Sequence, residues 1–255
     1  MISFILAAFL SISLLAPADP HINDEIEDLL NRAEEKFENK DEQGALELYL
    51  QVLDKDSENY EALWNASLNY SRIGFRFDDE EDQERYFEKA IELAEKSLEL
   101  YPEKGKPHYV KAVALGRMAD LISTRDRIST AHDIRDYADK AIELDPNYAP
   151  AWHLLGVWHS EVANVGRAER TAARFISQGI PDGASNETAE EYLEKAIDLD
   201  PDNIITRLDL ARHYLRAGED EKAIPVLEEI LDMEPIYKDD PEHLEEAEEL
   251  LSNLL

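Results

Sequence analysis

The sequence predicts an all-α chain: a right-handed α-solenoid of about five helix pairs, closed at one end by a C-terminal capping helix. Three observations carry that expectation. Apolar residues make up 44% of the 255 residues, yet there are only 9 Gly and 11 Pro, too few for a turn-dense β fold. Helix-periodic stretches such as "ELAEKSLELYPEK", "YADKAIELDPNY" and "YLEKAIDLDPDN" each stop at a proline, which lacks an amide N–H and restricts the residue before it. Those prolines recur at 102, 146, 201 and 235, and Ser57 takes the same place in an earlier copy.

The stops are preceded by small or apolar residues at fixed offsets. Ala45, Ala90, Ile134, Ala189 and Ala223 lie twelve positions before them, and Tyr49, Ala94, Ala138, Leu193 and Leu227 eight before. This resembles the second half of the tetratricopeptide repeat (TPR), A-x3-F…P. The first half, W-x2-L-G-x2-Y, is matched in "NYAPAWHLLGVWH" by Trp152, Leu155, Gly156 and His159. Leu63, Ala66, Ser67 and Tyr70 give a second copy. Leu210, Ala211 and Tyr214 give a third with Arg207 at the Trp place, and Ala112, Leu115 and Gly116 a weaker fourth. In this register Trp152 and Gly156 are packing residues. His153 and His159 are six apart and do not share a helix face, so no metal site is expected there.

Taken in order, residues 1–18 read as a signal peptide and 19–25 as a short linker. The solenoid spans 26–239, with repeats near 26–59, 60–102, 109–146, 149–201 and 204–235, and residues 240–255 form the cap. The leader is "MISFILAAFLSISLLAPADP", an uncharged apolar run followed by a small-x-small site that puts the mature start at Asp19. An uncleaved N-terminal anchor is the alternative. The cap carries Leu244, Ala247, Leu250, Leu251 and Leu254 on one face, suited to covering the open end of a stack. Between successive stops the spacing is 45, 44, 55 and 34 residues, against a repeat of about 34. The first three intervals therefore hold insertions, falling mostly between the two helices of a repeat. They predict an edge elaborated by longer or additional helices.

Charge narrows the function. With 26 Lys and Arg against 58 Asp and Glu, the net charge is −32, which repels nucleic acid. The segment from His108 to Ile180 is neutral, and its insertion "VANVGRAERTAARFISQGI" is basic, offering Arg167, Arg170 and Arg174 as an edge patch. There is no Cys, no Gly-rich phosphate loop, no H-E-x-x-H and no nucleophile elbow. No enzyme, cofactor or metal site is expected. "DDEEDQE" (78–84) lacks the spacing of a calcium loop and reads as a solvated connection. Asn186 is the plausible one of two glycosylation sequons.

From Gly116 to Pro201 the chain resembles the regulator-of-microtubule-dynamics family of TPR proteins. The resemblance rests on "GRMADLISTRDRISTAHDIRDYADKAIELDP", "AWHLLGVWHSEVANV" and "AERTAARFISQGIPDGASNETAEEYLEKAIDLDP". It implies an α-solenoid adaptor; in eukaryotes the family is associated with microtubules and organelle membranes. The leader points instead to an exported, periplasmic or envelope relative.

TPR solenoids bind through a concave face lined by fixed positions of the first helix of each repeat. That register nominates Trp64 and Arg72, then Arg117, then His153 and Val157, then Leu208, Arg212 and Arg216 as a partner-binding groove. Val110, Leu68 and Glu161 fall in the same set. An Arg-bearing groove in an acidic chain suits a protein or peptide partner, with a lipid headgroup or small anionic ligand as the alternative occupant. A third reading is an accessory subunit of an envelope assembly.

Overall fold

The computed structural model describes residues 20–176 and 179–255. Among the described residues it is helical throughout, with no strand. In chain order the helices are α1 (Pro20–Glu38), α2 (Glu42–Lys55), α3 (Tyr60–Phe75), α4 (Glu80–Leu100), α5 (Gly105–Ala119), α6 (Thr124–Leu144), α7 (Ala149–Ala163), α8 (Arg167–Ile176), α9 (Asn186–Leu199), α10 (Ile204–Ala217), α11 (Asp220–Leu231) and α12 (Asp240–Leu254). Five pairs stack in sequence order: α1 with α2, α3 with α4, α5 with α6, α7 with α9, and α10 with α11. Helix α8 is inserted inside the fourth pair, and α12 packs on α10 and α11.

Local chemistry sets the joints. Second helices end where the cap N–H of Asp56, Tyr101, Asp145 or Asp200 still reaches the carbonyl four residues back, and an extended turn follows. Asn59 and Asn203 then open the next first helix by accepting from the N–H of Ala62 and Thr206, satisfying an otherwise orphaned donor. Gly218 closes α10 in the left-handed region (φ 77°), where other residues are strained.

Close approach of the paired helices follows from small residues. Ala45, Ala66, Ala90, Ala94, Ala112 and Ala138 are fully buried. At Gly156 a Cβ would lie 2.6 Å from Leu193 Cγ, so α7 and α9 meet where only glycine fits. The apolar core runs along the stack, from Leu29, Leu46 and Val52 at one end to Leu208, Leu227 and Ile230 at the other. At that far end Leu244, Leu250, Leu251 and Leu254 of α12 cover the last pair.

The insertions lengthen one layer. Helices α4 and α6 have 21 residues each, while α2 and α9 have 14 and α11 has 12. The largest insertion becomes α8. The acidic segment 78–84 is mostly exposed, as read, but from Glu80 onward it forms the start of α4 and not a connection, with Asp79 accepting from the N–H groups of Glu81 and Asp82.

Several expectations are corrected. Helix α1 starts at Pro20, so residues 20–25 belong to a helix and not to a linker. The third pair starts at Gly105, four residues before Tyr109, which shifts its register: Val110 is fully buried. Trp152 is only half-buried. Its Nε1 donates to Pro146 O at 2.9 Å, which lays the indole over the preceding turn, edge-on to Tyr192. Trp158 is the buried tryptophan, 6% exposed, and donates to Ala131 O on α6. Asn186 is no free loop residue either, since it opens α9 and its side chain accepts from Asn164 Nδ2. The leader, residues 1–18, and the start at Asp19 lie outside the described residues. Among the described residues no helix is long and apolar enough to cross a membrane.

Candidate functional site

With the third pair starting at Gly105, the first helices α3, α5, α7 and α10 align in one register. Arg72, Arg117, Glu161 and Arg216 then hold equivalent places, one in each last turn. Leu68, Val113, Val157 and Arg212 align one turn earlier, and Trp64, Tyr109, His153 and Leu208 one turn earlier again.

Packing sets these first helices side by side: α3 touches α5, α5 touches α7, and α7 touches α10, where His153 meets Asp209. Burial holds the Arg117 guanidinium below the usual arginine range, and Arg72 on α3, Asp120 and Asp209 on α10 all contribute to its field. Glu161, at the same place on α7, is exposed. Although water reaches it, the surrounding protein raises its carboxyl above the usual range; Arg216 opposes that shift, and Asp209 and Asp120 add to it.

Within the groove the nominated residues have distinct situations. Trp64 is half-buried, donates Nε1 to Glu61 Oε2 at 2.8 Å, and carries Lys106 Nζ at 4.1 Å from its ring centroid. Arg72 lies 3.4 Å from Glu42 Oε1 and over the Phe37 ring. Arg117 stacks on Phe75, with its guanidinium carbon 3.9 Å from the ring centroid. His153 Nε2 is 2.7 Å from Asp209 Oδ2. Arg212 reaches Glu246 Oε1 at 2.8 Å and Asp209 Oδ1 at 2.7 Å, tying α10 to α12. Arg216 donates to Ser160 Oγ at 2.7 Å, an oxygen also 2.9 Å from buried His213 Nδ1. Val157 is half-buried against the C-terminal core.

Besides Val110, Leu68 is buried, and Leu208 and Arg170 do not present their side chains as expected. Leu208 is fully buried, because the capping helix packs against its face of α10; Asp209 beside it presents the polar group instead. Arg170 of the edge patch turns back to the carbonyls of Val162 and Ala163 and caps α7, which leaves Arg167 and Arg174 exposed.

The repeat register did not point to a second cluster. Glu42 opens α2 and is buried, 3% exposed. Arg76, just past α3, binds Glu42 and holds Asp239 through two bonds, Nε to Oδ1 at 2.7 Å and Nη2 to Oδ2 at 2.6 Å. Asp240, also buried, accepts from the N–H groups of Ile236 and Tyr237 and shapes the loop that carries Asp239. An acid at the start of a second helix and arginines spaced four apart at 72 and 76 were the available signals.

Stacked helix pairs of this length, with small residues at the crossings and a polar inner face, define a TPR solenoid. A thermophilic TPR protein from Thermus thermophilus shares the fold: TM-score 0.65 at 16% identity, over 87% of this chain and 98% of that one. The chain belongs to the regulator of microtubule dynamics protein 1-3 family, whose model matches residues 29–255. It is 28% identical to regulator of microtubule dynamics protein 1 of Bos taurus over 89% of this chain and 71% of that protein. It is 27% identical to protein 3 of Xenopus laevis, over 91% of this chain and 50% of that protein.

Proposed function

We propose that this protein is a non-enzymatic, exported scaffold that holds a segment of a partner protein in its concave groove. The observation that carries this reading is the row formed by Arg72, Arg117, Glu161 and Arg216. Successive repeats place a charged side chain at one register of the inner face, and the row's members perturb one another's charge. Arg72 and Arg216 have acceptors within the chain and Glu161 is exposed, but Arg117 is half-buried without one, and such a charge costs free energy unless a partner completes it. The binding role rests on these residues beyond the fold itself, because TPR-like scaffolds are shared by many functions. Export rests on the apolar leader and its small-residue site.

Site-specific photo-crosslinking in the native cell tests this. A crosslinker at Val113 should capture a discrete protein partner, while one at Lys195, exposed on α9, should not. Equal capture from both positions, or capture of lipid alone from Val113, overturns the reading.

A further inference from the structure

Arg117 is the one arginine of the row that has no acceptor among the described residues. Among the described residues its guanidinium makes no hydrogen bond and no ion pair, whereas Arg72, Arg76, Arg212 and Arg216 each have an acceptor. Its guanidinium carbon lies over the face of Phe75, a contact that uses the cation's charge and none of its N–H donors. Phe75 itself is 55% exposed, one of few large apolar side chains so placed among the described residues. A half-buried fork with free donors beside an open aromatic surface is an unfilled two-part subsite.

We propose that this subsite takes a carboxylate of the partner segment, received bidentately by Arg117, with an adjoining apolar side chain laid on Phe75. This rests on the groove reading above and names its ligand. Charge decides for a carboxylate over a phosphate. Arg72, the other cation acting on Arg117, is already shared with Glu42. Asp120 and Asp209 contribute negative potential at Arg117. One uncompensated positive charge suits a monoanion, and those acids repel the second charge of a phosphate monoester. A chain at −32 also disfavours a partner acidic along its length, so the carboxylate should be isolated in a neutral or basic segment.

The test uses the full chain and two random octapeptide libraries, one with free C-termini and one amidated. Selected peptides should share an Asp, a Glu or a free C-terminus beside an apolar residue. Enrichment in both libraries assigns a side-chain carboxylate, and enrichment in the free library alone assigns the chain terminus. Arg117→Gln should weaken those peptides about ten- to a hundredfold with an unchanged melting temperature. Arg117→Lys, which keeps the charge and loses the fork, should fall between. Phe75→Ala should erase the apolar preference. Selected peptides that bind Arg117→Gln as tightly, while still displaced from the Val113 crosslinker, overturn the carboxylate subsite and leave the groove reading standing. Failure of both libraries, together with no Val113 capture in cells, overturns both. Tighter binding when phosphoserine replaces the acid, or binding to phosphatidylserine vesicles that Arg117→Gln abolishes, also overturns the carboxylate assignment.

Discussion

Arg76 and Asp239 are 163 positions apart and meet through two parallel hydrogen bonds, so the second repeat and the loop before the capping helix touch directly. In a stack whose repeats contact only their neighbours, that is a closure. The bond passes through Arg76 to buried Glu42 at the foot of α2, so the first two repeats and the C-terminal end share one guanidinium.

The two carboxylates on Arg76 should differ in cost. Glu42 is buried, while the Asp239 side chain is 37% exposed. Asp239→Asn should cost under about 1 kcal/mol, in line with a solvent-screened pair. Arg76→Met strands Glu42 with only the longer contact to Arg72, and should cost about 3 kcal/mol. Hydrogen exchange on Asp239→Asn should show faster opening of α12 with unchanged protection of α4 and α6. Equal melting temperatures for the two variants would mean that Glu42 is not buried.

Trp158, and not Trp152, should carry the stability of the fourth pair. Trp158→Ala removes a buried indole and its bond to Ala131, for about 3–5 kcal/mol. Trp152→Ala should cost clearly less, since part of that ring already faces water. Gly156→Ala should cost about 1–3 kcal/mol by forcing Leu193 off its seat. Thermal melts of the three variants check the order.

The helix pairs were legible because proline stops and alanine crossings are read at fixed spacing, and a spacing survives whatever the neighbouring residues do. The groove was legible only where the register started correctly. Four residues of error at the third repeat put Val110 on the inner face in place of Tyr109, while Arg117, one helical turn from either register's neighbour, is nominated all the same. Leu208 fits the pattern at its position, yet the capping helix covers it, and no repeat pattern records what packs on the last copy. The Arg76–Asp239 contact was invisible for a related reason: it depends on how far the solenoid curves over four repeats, a sum of small rotations that no local sequence feature encodes.

Glu161 gives a pH test of the enclosed groove. Its carboxyl is raised by the protein crowded around it, but the side chain is exposed and water screens the effect, so the folded state prefers the neutral form only weakly. Ionisation therefore costs stability above the folded pKa, and the cost vanishes below the unfolded value near 4.3. Glu161→Gln should raise the melting temperature at neutral pH and leave it unchanged under acid conditions where Glu161 is protonated in both states. An equal gain at both pH values would trace the effect to something other than the charge.

The repeat register alone makes His153 a groove residue with no structural task, whose loss would leave the fold's stability intact. The structure assigns it one. Burial acts to raise the Asp209 carboxyl, but hydrogen bonds and charge from His153 and Arg212 outweigh that, and the group titrates below the usual range. A depressed carboxylate contributes stability above its unfolded pKa and loses it as pH falls through the folded value. Removing a donor should therefore hurt at neutral pH. His153→Ala leaves Asp209 with Arg212 alone and should cost about 1–3 kcal/mol. Asp209→Asn should cost a similar amount, because Arg212 then keeps only Glu246. The double variant should cost less than the sum, with a coupling of about 0.5–3 kcal/mol that shrinks in strong acid. A neutral-pH cycle that closes to zero would show that α7 and α10 are not joined through this pair, and that the inner face is looser than the 2.7 Å contact implies.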